Sequence, residues 1–231
     1  MSKKQVTHDN WGYPPFNRES FQNVQGLFPT ARLKRGSGPA SDIPMNLQSI
    51  EDVEFENLEG NKQSIRQMLD ATYTDAFLVL QDGALIHEEY MNNMGPDTLH
   101  LLNSVTKSFV GMLTGILYEK GIIDPDKNVS DYIPEFKDTV FSETKLQHAL
   151  DMSAAVEYGE DYSDPQADFW HETAVVGWRP QLVNAETPST LFDYALSLQS
   201  KEQLDGEKYH YRTVLTNIVA MAIERATGER C

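Results

Sequence analysis

Ser104 and Lys107 stand three residues apart in the segment HLLNSVTKSFVGMLTGILYEKG, His100 to Gly121. On a helix that spacing puts a hydroxyl and an ammonium on one face, about one turn apart. A hydroxyl attacks a carbonyl only after a base has taken its proton, and a lysine becomes such a base when its surroundings lower its pKa. Burial and the positive end of a helix dipole both disfavour the ammonium. The N–H of Ser104, free at a helix start, can donate to an oxyanion. The pattern alone is weak, because Ser142-Glu-Thr-Lys145 repeats it. There the simpler reading is a serine N-cap ahead of KLQHAL with a solvated lysine. Spacing alone favours a cap with a snorkelling lysine for Ser104 as well. Context separates the copies: Ser104 opens the most deeply apolar helix in the chain, with apolar residues at 105, 109, 110, 112, 113, 116 and 117.

The elements around this pair are legible in part. The stripe from Ser104 to Lys120 predicts a buried helix ending at Gly121 as its C′ residue. TKLQHALDMS, PSTLFDYALSLQ and YRTVLTNIVAMAIERATG read as further helices, the last ending at Gly228. Earlier, SIRQMLDATY reads as a short helix, and TDAFLVLQDGALIHEEYMN as a hairpin of Phe77 to Leu80 and Ala84 to Tyr90 turning at Asp82-Gly83. Residues 1–60 read as an irregular arm rich in Pro, Gly, Ser and Asn. Its aromatics Trp11, Tyr13, Phe16, Phe21 and Phe28 suggest that it packs on a domain, which then occupies 61–231. A lone hairpin is marginal in water. Either strands escape the pattern, or something outside this chain completes the sheet.

Composition narrows the chemistry. The 231 residues are 40% hydrophobic and can bury a real core. With 35 acidic against 19 basic residues, a net charge of -16 and a pI near 4.7, the chain repels nucleic acid and anionic membranes. One cysteine, Cys231, makes no internal disulfide, and the polar MSKKQVTHDN start is not a secretory signal, so the expected compartment is the cytoplasm. HETAV, 171–175, begins like a zinc-protease helix but has Val175 where the second histidine belongs. The six histidines are scattered, each reading first as a surface or core residue, and Gly36-Ser37-Gly38 is too short for a nucleophile elbow. Neither a metal nor an organic cofactor is expected.

NSVTKS before a long apolar helix, then LQHALDMS, then YHYRTVLTNIVAMAIERATGER, resembles the serine hydrolases of the β-lactamase and penicillin-binding-protein superfamily, in their class C and esterase branch. TYTDAFLVL, HLLNSVTKS, YGEDYSDP, VVGW and IERATGER are similar, within that branch, to the 6-aminohexanoate-dimer hydrolases. The resemblance implies an α+β fold with an antiparallel sheet and a helical subdomain. It also implies amide or ester cleavage of a small molecule through an acyl-enzyme, possible substrates including linear amides such as aminohexanoate oligomers. Ser104 would be the nucleophile, Lys107 its base, and Tyr211 the group that passes a proton to the leaving group. Thr213 stands where the wider family often has asparagine, and close relatives have a small hydroxyl residue there. Tyr162 matches a tyrosine near the scissile amide, Trp178 a loop that covers the substrate, and Thr173 a position where some relatives carry an acid that recognises the substrate amine. In the superfamily the chain runs on into a strand that supplies the second oxyanion donor, and these residues stop before it. The resemblance therefore leaves two readings: a hydrolase completed by a C-terminal polypeptide or by self-association, or a catalytically impaired homologue that binds or senses.

Overall fold

The computed structural model describes residues 5–32 and 36–231. They form two units, Met1–Leu101 and Leu102–Cys231, each with its own contacts. The change expected near residue 60 falls inside the first unit.

In the first unit a short helix α1 (Asn17–Ser20) sits in the arm, where Trp11 is buried between Phe21 and Phe28, its ring 6.0 and 5.1 Å from theirs. Asp75, also buried, faces Arg18 at 3.4 Å and His100 at 3.1 Å. Two antiparallel pairs follow where one hairpin was expected. Strands β1 (Glu54–Glu56) and β2 (Lys62–Ser64) pair in the register Phe55 to Gln63. They escape pattern reading because EFE and KQS are short, polar and mostly exposed. Helix α2 (Ile65–Ala71) starts at a capping box, Ser64 and Gln67 bonding each other's backbone N–H. Strands β3 (Ala76–Gln81) and β4 (Ala84–Tyr90) form the expected hairpin. Its turn needs positive φ twice, met by Asp82 at 50° and Gly83 at 79°. The arm adds an edge to β4: Asn46 N–H donates to Leu85 O, and Leu85 N–H to Pro44 O.

The second unit is helical. Helices α3 (Thr106–Glu119), α4 (Val129–Tyr132), α5 (Leu146–Leu150), α6 (Asp168–Val175) and α7 (Leu191–Ser197) are followed by α8 (Thr213–Thr227). Helix α8 buries Val214, Leu215, Ile218, Val219, Ala222 and Ile223, a repeat of two residues every four that packs on α3, α4, α5 and α7. Each such Leu or Ile is worth about 1.5–3 kcal/mol, so α8 is the spine of this unit. Gly121 and Gly228 lie just beyond α3 and α8 at φ of 67° and 73°, as left-handed C-terminal residues should.

Three expectations need correction. Helix α3 is not buried: Phe109, Met112 and Ile116, with Val105 just ahead of it, are 50–65% exposed, while Thr114 and Leu117 alone of its residues are buried. Its apolar stripe is broader than the face that α8 covers. Ser142 does not cap α5, whose N-cap position is Lys145. Finally, α8 begins at Thr213, and Tyr211 lies ahead of it rather than on it. No helix among the described residues is long and apolar enough to cross a membrane.

Candidate active site

Ser104 is exposed at a one-turn 3-10 helix, Asn103–Val105, that leads into α3. Asn103 takes φ of 46°, a left-handed conformation that asparagine tolerates better than most residues. Lys107, one turn further on, places Nζ 3.1 Å from Ser104 Oγ. Tyr211, distant in sequence, donates its hydroxyl to the same Oγ at 2.7 Å. The Lys107 ammonium also lies 5.4 Å from the centre of the Tyr211 ring. The structure thus brings Ser104, Lys107 and Tyr211 together. In the second Ser-x-x-Lys copy, Lys145 instead pairs with Asp126 at 3.2 Å.

Tyr211 is aimed by its neighbours. Arg212 is extended, at φ -143° and ψ 116°, so residues 211 and 213 project opposite to it. The Arg212 guanidinium is fully buried and donates to Ala154 O, His210 O and Glu202. Burial pushes the Glu202 carboxyl up, but Arg212 and His210 outweigh it and hold its pKa below the usual range. With the arginine anchored inward, Tyr211 and Thr213 face outward. Glu160 then accepts from Thr213 N–H at 2.6 Å and Thr213 Oγ1 at 2.7 Å, capping α8. It also accepts from Tyr162 OH at 2.8 Å.

Thr213 and Tyr162 are therefore linked through Glu160. Tyr162 is 57% exposed, rests edge-on against Phe169, and has its phenol pKa raised by burial and by Glu160. Thr173 and Trp178 belong to α6 and its end. Thr173 is buried and its hydroxyl donates to Trp170 O at 2.8 Å. Trp178 N–H donates to Thr173 O, and Gly177, at φ 80°, donates to Ala174 O, a Schellman ending that fixes where the tryptophan leaves the helix.

Sequence reasoning missed Glu160 and Glu172. Glu172 lies within the same HETAV run that was tested only as a metal motif. It is 3% exposed and accepts from Tyr158 OH and Asn217 Nδ2. Burial raises its pKa from 4.5 to about 7 against the pull of those two donors and of Lys107. In the first unit, Glu51, His87 and Glu89 each offer a ligand atom within 4.8 Å of the others. Arg66 already holds both oxygens of Glu89 at 2.6 Å, so that group has its cation.

The fold is that of an α+β, β-lactamase-like protein. The chain belongs to the beta-lactamase family, whose model, described as "Beta-lactamase", matches residues 61–231. It is 32% identical over 226 residues to a 6-aminohexanoate-dimer hydrolase of Paenarthrobacter ureafaciens, covering 97% of this chain and 54% of that protein. A Bacillus anthracis structure solved under the name of a 6-aminohexanoate-dimer hydrolase matches with a TM-score of 0.85 at 27% identity, covering 99% of this chain and 59% of that one. A Bacteroides dorei structure solved under the name of a beta-lactamase shares the fold at a TM-score of 0.53 and 18% identity, covering 72% and 45%. The chain spans little more than half the length of the first two relatives.

Proposed function

We propose that this chain carries the acylating residues of a serine hydrolase that cleaves a small amide or ester. The observation behind this reading is one oxygen, Ser104 Oγ, held within hydrogen-bond reach of both Lys107 Nζ and Tyr211 OH. As a free amine, Lys107 accepts the Ser104 proton while Oγ bonds to the substrate carbonyl carbon. The tetrahedral oxyanion takes a hydrogen bond from Ser104 N–H. Tyr211 passes a proton to the departing nitrogen or oxygen as its bond to carbon breaks and is reprotonated with the proton Lys107 took from Ser104. Water then attacks the acyl-enzyme, gives a proton back, and releases the acid. The relatives' names support linear amides of the aminohexanoate type as substrates, with Tyr162 beside the scissile bond, Thr213 at the mouth of the site and Trp178 over it. Thr173, whose hydroxyl is engaged with Trp170, brings no acid for a substrate amine.

The exposed α3 stripe, together with a chain of about half the relatives' length, supports a second part to this reading. A polypeptide equivalent to the rest of the relatives covers that stripe and supplies the second oxyanion donor, and without it turnover falls by roughly 100- to 1000-fold. A fluorophosphonate probe tests the reading. It should label Ser104 in the wild-type chain, still label the S142A variant, and fail on S104A. Labelling that persists in S104A would remove Ser104 from the nucleophile's role. Adding the remaining segment of a relative's domain should accelerate labelling and turnover of esters and linear amides.

A further inference from the structure

In the first unit three ligand-type side chains meet from two stretches of chain. His87 and Glu89 stand two residues apart on β4, so both project from one face of the strand. Glu51 reaches that face from the arm: Gln48 N–H donates to Ile86 O at 2.8 Å, and Glu51 O accepts from Arg66 N–H at 3.0 Å at the start of α2. His87 is 5% exposed and rests against Phe77, ring centres 5.7 Å apart. Its Nδ1 faces the Gln48 carbonyl oxygen at 3.5 Å. A carbonyl only accepts, so the ring proton belongs on Nδ1 and Nε2 carries a lone pair. Among the described residues no hydrogen-bond partner reaches that buried Nε2. What it faces, at 3.6 Å, is Glu89 Oε2, another acceptor. Two acceptors turned on each other away from water need a cation between them.

Arg66 supplies this group with one positive charge, bridging both oxygens of Glu89 at 2.6 Å. Against two carboxylates, one negative charge is left over. A carboxylate oxygen has two lone pairs, so Glu89 can keep Arg66 and still offer one. Each of the three side chains is also held from behind: Ser49 Oγ donates to Glu51 Oε2 at 2.7 Å, Arg66 donates to Glu89, and Gln48 O orients His87. Metal-bound histidines and carboxylates are characteristically fixed by such outer partners. We propose that Glu51, His87 and Glu89 bind one divalent transition-metal ion of the zinc type, through His87 Nε2 and one oxygen of each carboxylate, with water completing the coordination. An imidazole with two carboxylates suits zinc better than calcium or magnesium, which favour oxygen donors. The three ligand atoms lie within 4.8 Å of one another, and metal bonds of about 2.0–2.2 Å need them closer. Binding therefore draws Glu51 in and fastens the arm to the hairpin, whatever the chemistry at Ser104. Sequence reading sets His87 down as a core or surface residue because a histidine and a glutamate on one strand, with a remote Glu51, form no contiguous metal motif.

The test is zinc binding by the whole 231-residue chain, stripped with chelator and then dialysed against Zn2+ at about pH 7. One ion per chain should bind, and the assigned His87 Nε2 resonance in nitrogen-15 spectra should shift as it does. Glu51→Gln, which keeps the size of the side chain and an acceptor for Ser49, should weaken binding by at least about tenfold. Asp126→Asn, which removes an exposed carboxylate of the second unit, should leave it unchanged. Equal affinity in wild type and Glu51→Gln, or zinc that shifts other histidines and leaves His87 unmoved, would show chelation elsewhere on the surface, and the proposal falls. An imidazole of His87 that carries protons on both nitrogens and keeps them at saturating zinc would put a proton where the ion is assigned, with the same result. Should Glu51→Gln fail to fold, the wild-type spectra decide alone: a His87 resonance that zinc does not move overturns the site.

Discussion

Replacing Glu172 by glutamine should change how the stability of the fold depends on pH. The carboxyl is 3% exposed and its pKa rises from 4.5 to about 7 inside the fold, burial outweighing the donors and Lys107. The folded state therefore keeps a proton that the unfolded chain has released. Between those two values the native state binds more protons, so stability falls as pH rises, and above about 7 the full cost of ionising the buried acid is present. At about 1.36 kcal/mol for each unit of pKa, that cost is about 3 kcal/mol. Below 4.5 the group is protonated in both states and contributes nothing to the slope. Glutamine fills the same space with no proton to lose, and the Tyr158 hydroxyl can rotate to accept from it. Urea unfolding at half-unit steps from pH 4.5 to 8, followed by tryptophan fluorescence, should show the variant gaining about 3 kcal/mol on wild type across that range. Asp205 is also perturbed: burial pushes its pKa up, but Lys201, Ala155 N–H and Thr144 outweigh it and pull it down. Its contribution is lost as pH falls through the acid range, and it cancels between the two proteins. A difference that stays constant with pH would refute the reasoning, because a purely steric effect of the amide does not titrate.

Three further outcomes follow from the same geometry. Lys107→Arg should reduce fluorophosphonate labelling of Ser104 by at least about 100-fold, since a guanidinium does not deprotonate and loses the general-base contribution; labelling near the wild-type rate would make the lysine structural. Glu160→Ala removes the acceptor of the Thr213 N–H and hydroxyl and of Tyr162 OH, and should cost about 1–2 kcal/mol in urea unfolding, as the loss of a strong helix cap does, together with a slower reaction at Ser104. Phe109→Gln combined with Met112→Gln should reduce self-association of the chain in sedimentation velocity, because both side chains sit in the exposed stripe of α3; an unchanged distribution would show that this face is not the sticky one.

Much of the second unit was readable because its helices end on strong local signals. Gly121 and Gly228 stop α3 and α8 by backbone conformation alone, and Asp82-Gly83 makes the hairpin turn for the same reason. The failures occur where tertiary contacts decide. Helix α6 carries no clear apolar period, yet it buries Glu172, Thr173 and Ala174 in succession; a wedge of one helical end has no periodic signature. Ser142 looked like a cap because serine usually is one, but its carbonyl instead accepts from Ser130 and the helix waits until Leu146. The α3 stripe predicted burial from seven apolar positions, yet four of them, Val105, Phe109, Met112 and Ile116, stand exposed. Periodicity states a need for cover without saying which chain meets it.

The site divides along the same line. Ser104 and Lys107 share a helix turn, so their meeting at 3.1 Å was implicit in their spacing. Tyr211 lies 107 residues away, and nothing local in HYRT announces that its hydroxyl reaches Ser104; only resemblance pointed there. What makes the reach possible is Arg212, whose buried guanidinium fixes which way the extended backbone faces. An arginine between a tyrosine and a threonine looks like a surface residue in sequence, and its burial depends on Glu202 and two carbonyls contributed by a separate loop and by His210. Cutting that anchor would leave a buried cation or an empty cavity, either of which costs several kcal/mol, and would release Tyr211 and Thr213 together. The geometry of the serine thus rests on a group facing away from it, Arg212, whose buried guanidinium aims the tyrosine.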